Sequence, residues 1–83
     1  MIKILLVDDH ELVRTGIRRI LEDVQGFVVV GEATTGEEAV KFCRKNAPDL
    51  VLMDMSMPGI GGLEATKQIL RFSENTRIIV LSV

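Results

Sequence analysis

Ile2-Lys3-Ile4-Leu5-Leu6-Val7-Asp8-Asp9 sits at the start of the chain, and Leu50-Val51-Leu52-Met53-Asp54 repeats its pattern in the middle: a short apolar run that stops on a carboxylate. A run of this kind, without polar alternation, marks a strand buried on both faces, as in parallel sheets covered by helices on each side. In an open parallel sheet the carboxyl ends of the strands form the ligand crevice. If the two strands are neighbours, Asp8, Asp9 and Asp54 meet in that crevice. Like charges about 4 Å apart repel by roughly 4 kcal/mol per pair at an effective dielectric near 20, so such a cluster needs compensation. A hard divalent cation supplies it. Mg²⁺ takes oxygen ligands, keeps several waters and typically sits between carboxylates and a phosphoryl group, which makes it the expected cofactor.

Outward from these two runs, the hydrophobic period changes repeatedly. Residues 2 to 8 read as the first strand, and Asp8-Asp9-His10-Glu11 reads as a helix start, with an acid at the cap and a glutamate three residues on. Val13, Ile17, Ile20, Leu21 and Val24 then share one helical face, until Gln25-Gly26 stops the helix. Phe27 to Ala33 is rich in β-branched residues and reads as a second strand. Thr35-Gly36-Glu37-Glu38 opens a second helix as a capping box, and that helix ends before Pro48. The third strand runs from about Asp49 to Asp54, and Met57-Pro58-Gly59-Ile60-Gly61-Gly62 is a turn-rich loop. Leu63 to Arg71 read as a third helix and Arg77 to Ser82 as a fourth strand. This βαβαβαβ alternation implies one α/β domain: a parallel sheet with right-handed crossovers and helices on both faces.

Composition narrows the function classes. The chain has 83 residues, a formal net charge of −2 and 47% hydrophobic residues, as expected of one small globular domain and not of a disordered or basic one. That balance lacks the electrostatic footprint of a nucleic-acid binder. Arg14, Arg18 and Arg19 cluster in one helical segment and read as a solvated face. The single cysteine, Cys43, shares a helical stripe with Ala39, Val40 and Ala47 and reads as a small core residue. A reducing cytoplasm is the expected home. The start carries no signal-peptide pattern, and no apolar stretch is long enough for a membrane span.

At LLVDDHELVR (5–14), VLMDMSMPGIGGLEA (51–65) and IIVLSV (78–83) the sequence resembles the receiver domain of two-component response regulators. The wording is nearest to the GacA/UvrY/LetA branch, whose members join the receiver to a LuxR-type helix-turn-helix. The resemblance implies a flavodoxin-like (CheY-like) sheet, here of order 2-1-3-4. By the same resemblance Asp54 is the phosphoacceptor, Asp8 and Asp9 hold Mg²⁺ together with Asp54 and the backbone carbonyl of Ser56, and Ser82 is the switch hydroxyl. It further implies a signalling switch and not an enzyme. The expected partner is a histidine kinase or phosphotransfer domain, and DNA is reached only through an output domain outside residues 1–83. A carboxylate nucleophile can accept a phosphoryl group when metal neutralises the repulsion between anionic attacker and anionic donor. Read alone, His10 is a solvent-facing histidine beside the acidic pair.

The chain departs from the family after strand four. A receiver continues with a helix, a fifth strand and a last helix, and the lysine that ends strand five has no counterpart here; Lys41 and Lys67 lie on other elements. The expectation is therefore a truncated receiver. Strand four would be an apolar edge open to pairing, which favours a homodimer or a domain-swapped assembly over a monomer. Two other classes fit less well. A haloacid-dehalogenase-type phosphatase needs a second aspartate two positions after the first, where this chain has Ser56, and a flavodoxin-like nucleotide binder would not aim Asp8 and Asp9 at a phosphate. A further alternative keeps the fold without phosphotransfer competence, as a self-associating structural piece.

Overall fold

A computed structural model of the chain describes residues 1–81. Ser82, the expected switch hydroxyl, lies outside the described residues. Seven elements alternate: β1 (Ile2–Val7), α1 (Glu11–Glu22), β2 (Phe27–Ala33), α2 (Gly36–Asn46), β3 (Leu50–Asp54), α3 (Gly61–Phe72) and β4 (Arg77–Leu81). The four strands form one parallel sheet of order β2-β1-β3-β4. Crossing from β2 over β1 to β3 reverses the direction of winding, so α1 lies on one face and α2 and α3 on the other.

Strand alternation divides the core accordingly. Leu5, Val7, Val51 and Met53 point toward α2 and α3, where they meet Ala39, Val40, Cys43, Ala65 and Ile69. Ile4, Leu6, Val29 and Leu52 point toward α1 and meet Ile17 and Leu21. Ile4, Leu5 and Ile69 are fully buried, and each such side chain contributes about 1.5–3 kcal/mol of transfer free energy. The α1 face is the thinner one. No residue of α1 is buried, and of the stripe read from the sequence Val13, Ile20 and Val24 stay exposed while Ile17 and Leu21 carry the contact. On β4, Ile79 and Val80 are about half exposed (50% and 47%), and among the described residues β4 pairs with β3 alone.

Local signals explain most boundaries. Thr35 Oγ1 caps α2 by accepting the Glu38 N–H at 3.1 Å, while the Glu38 carboxylate accepts from the Thr34 N–H and hydroxyl. Ala47, left-handed at φ 39°, ends that helix ahead of Pro48. Three boundaries differ from the sequence reading by more than one residue. α1 begins at Glu11 behind His10, with no side-chain cap, because the Asp8 carboxylate accepts the His10 N–H at 2.8 Å and forms its own turn. α1 also ends at Glu22, with Gly26 (φ 94°) in the following turn to β2. α3 starts at Gly61, two residues ahead of the expected Leu63.

Candidate functional site

β1 and β3 are neighbours, with Val7 beside Met53 in register, so the residues that follow them emerge side by side. Asp8 is 7% and Asp54 6% exposed, although both are carboxylates. Ligand atoms of Asp8, Asp9, His10 and Asp54 all lie within 4.8 Å of one another. The three aspartates placed together by sequence reasoning are thus brought together, and a histidine joins them.

Backbone groups fix this cluster. The Asp8 N–H continues the sheet by donating to Ala33 O at 3.0 Å, and the Ser56 N–H donates to Asp54 Oδ1 at 3.0 Å. His10 is exposed, yet its Nδ1 stands 3.0 Å from Asp8 Oδ1 and 3.0 Å from Asp9 Oδ1. The hydrogen bond to Asp8, followed by the charge of Asp9, holds the imidazole above its ordinary pKa of 6.5. Sequence reasoning left His10 in solvent. The signal that finds it is the turn: an aspartate that accepts the N–H two residues on folds the intervening chain back over itself.

Asp8, His10, Asp54 and Ser56 share a cleft of about 410 Å³ with Val13, Ile17 and Leu81. A larger depression of about 710 Å³ lies at the opposite, amino edge around Met1, Gly26, Asp49 and Arg77. There the Asp49 carboxylate already accepts the Lys3 N–H at 2.8 Å, and open parallel sheets use their carboxyl edge, so the smaller cleft is the candidate site. Its donors are hard oxygens converging from two strand ends, and they fit a divalent cation of the Mg²⁺ class. The loop beyond Asp54 is held from α2: Glu37 Oε1 accepts the Ile60 N–H at 3.4 Å, and it occupies the space a side chain on Gly59 (φ 79°) would need. Cys43 is remote from this chemistry, and burial pushes its thiol up to about 11.

Two of the three clustered arginines are ion-paired across that face. Arg14 Nε donates to Glu32 Oε1 at 2.8 Å, and Arg18 Nη1 to Glu32 Oε2 at 2.5 Å. The i, i+4 spacing puts both on one side of α1, and Glu32 lies one residue before the end of β2; pairing these required knowing which strand flanks the helix. The two cations hold the Glu32 carboxyl below its ordinary 4.5, Arg14 contributing most.

A β2-β1-β3-β4 parallel sheet with helices on both faces and a carboxylate cluster at its carboxyl edge defines a CheY-like domain. The chain belongs to the response regulator receiver domain family, whose model matches residues 4–83. It is 70% identical over all 83 residues to the response regulator UvrY of Escherichia coli (strain K12), of which it covers 38%. Thus the chain spans about two-fifths of the length of that relative. Among solved structures, it matches a LuxR-family two-component response regulator from Aurantimonas sp. SI85-9A1 with a TM-score of 0.91 and 44% identity, over 96% of this chain and 57% of that one. A chain in the CheX-CheY-BeF3-Mg²⁺ complex from Borrelia burgdorferi matches with a TM-score of 0.91 and 30% identity, over 98% of this chain and 61% of that one.

Proposed function

We propose that residues 1–83 are the phosphoacceptor portion of a longer two-component response regulator, with Asp54 as the residue that receives the phosphoryl group. The observation that carries this reading is the convergence of Asp8, Asp9 and Asp54 at the carboxyl edge within the reach of one cation. Membership of the receiver family and the Mg²⁺ and BeF3 named in the Borrelia complex support it.

On this reading Asp8, Asp9, Asp54 and the Ser56 carbonyl would hold Mg²⁺, whose charge would neutralise that of attacker and donor. Asp54 Oδ1 is oriented by the Ser56 N–H, and its second oxygen attacks phosphorus in line with the imidazole nitrogen of a phosphohistidine. The P–N bond breaks, a P–O bond forms, and the leaving imidazole takes up a proton. Ser82, the next residue in sequence after Leu81, is on this reading the hydroxyl that senses the new acceptor oxygens by hydrogen bonding. Moving a two-state equilibrium from 1:99 to 99:1 takes about 5.5 kcal/mol, more than one hydroxyl contact supplies, so other parts of the domain share the switch.

The donor is a cytoplasmic histidine kinase or phosphotransfer domain, and the output is DNA binding by a helix-turn-helix elsewhere in the longer protein. The LuxR-family relative and the partial coverage of UvrY support that assignment. For residues 1–83 taken alone, the half-exposed Ile79 and Val80 on β4 favour self-association along that edge. Incubation with a phosphorylated histidine kinase tests the reading: label is expected to pass to the chain and not to an Asp54→Asn variant. Equal labelling of that variant would contradict it.

A further inference from the structure

Arg14 stands outside the acidic cluster and touches it through the backbone. Its Nη1 donates to the carbonyl oxygen of Asp8 at 2.7 Å, while its Nε donates to Glu32 Oε1 at 2.8 Å. The guanidinium fork is therefore split between the turn after β1 and the end of β2. The Arg14 side chain is 14% exposed and Glu32 30%, so the pair is partly shielded from solvent.

We infer that Arg14 is a positioning residue for the cation site, setting the Asp8–Asp9 peptide, with Glu32 orienting and neutralising its guanidinium. The inference rests on the reading of Asp8, Asp9 and Asp54 as the cation site. The carbonyl that Arg14 holds belongs to the peptide joining Asp8 to Asp9, and a peptide is a rigid plane. Fixing its oxygen fixes the direction in which Asp9 leaves Asp8. With the Asp8 N–H on Ala33 O, both backbone groups of Asp8 are anchored to other parts of the chain. Asp9 is the more exposed carboxylate, so its direction depends more on this plane than on surrounding side chains.

Glu32 answers the electrostatic problem that Arg14 creates. A lone guanidinium beside a cation site would repel the cation; Glu32, shared with Arg18, and Glu22, 3.4 Å from Arg18, together set two carboxylates against the two guanidiniums, so Arg14 keeps the hydrogen bond with that penalty reduced. Arg18 holds the second Glu32 oxygen and so fixes the carboxylate that aims Arg14. A lysine at position 14 is a point charge without the fork and makes one of the two contacts at a time.

The test is a titration of the whole chain with Mg²⁺ alone, followed by amide chemical shifts, with thermal unfolding recorded in parallel. Arg14→Met keeps the apolar stem and is expected to weaken Mg²⁺ binding about tenfold, the lower end for loss of a group that orients a ligand. Arg14→Lys is expected to recover part of that loss. Glu32→Gln is expected to weaken binding less than Arg14→Met, and the double variant no more than Arg14→Met, because the two act as one unit. A purely structural ion pair would lower the unfolding temperature and leave the Mg²⁺ dissociation constant of the folded protein unchanged, which overturns the inference. Should Arg14→Met fail to fold, unchanged Mg²⁺ affinity in both Arg14→Lys and Glu32→Gln overturns it equally. An unaltered, folded chain that binds no Mg²⁺ would sink the cation-site reading and this inference together, whereas binding that the variants leave intact sinks only the inference.

Discussion

Gly62, in the first turn of α3, packs where no side chain fits. A Cβ there would stand 2.5 Å from the Asp54 carbonyl oxygen and 2.9 Å from Met55 Cα, both backbone atoms that cannot swing aside. Close approach of helix to strand end is thus what holds the loop after Asp54. Gly62→Ala is expected to destabilise the fold by about 1–3 kcal/mol, the usual cost of overpacking, as read by urea denaturation. An unchanged urea midpoint would show that α3 can move away freely. Local donors also explain why three acids tolerate one another: the Ser56 N–H, the His10 N–H and the His10 ring each meet one of the carboxylates.

Among the elements, β1 and β3 were the most legible, because strands buried on both faces are uniformly apolar and end abruptly on acids. The capping box of α2 was legible for a similar reason, since Thr35 and Glu38 act within one turn. α1 was harder to bound. Asp8 looked like a helix cap but used its carboxylate on a tighter turn, which moved the helix start to Glu11 and carried His10 over the acids. The Arg14–Glu32–Arg18 network was illegible because its partners are 14 and 18 residues apart and meet only once α1 lies over the β2 edge. That network has a pH signature. Glu32 titrates lower folded than unfolded, so its contribution is present above pH 4.5 and is lost as pH falls through the lower folded value. Glu32→Gln is expected to flatten the stability profile in that acid range, measured by denaturation at stepped pH; an unaltered slope would mean the carboxylate contributes nothing there.

For the molecule as a whole, the two sheet faces are unequally covered. α2 and α3 close one face over Leu5, Val7, Val51 and Met53, while among the described residues α1 alone serves the other and leaves Val13, Ile20 and Ile79 exposed. With Val80 also exposed and β4 bonded on one side among the described residues, apolar surface and strand edge coincide. For residues 1–83 alone, self-association is the expected consequence. Sedimentation at rising concentration is predicted to show a dimer that Ile79→Lys weakens, and a concentration-independent monomer would refute this. Sequence reasoning reached the family and the acidic cluster because both are written in contiguous motifs. What the cluster does depends on chemistry that one measurement addresses directly: the intact mass of the chain after acetyl phosphate treatment, with and without Mg²⁺, beside Asp54→Asn. A single phosphoryl adduct that requires both Mg²⁺ and Asp54 is expected. No adduct on protein that circular dichroism shows to be folded, or an adduct that survives Asp54→Asn, would contradict it.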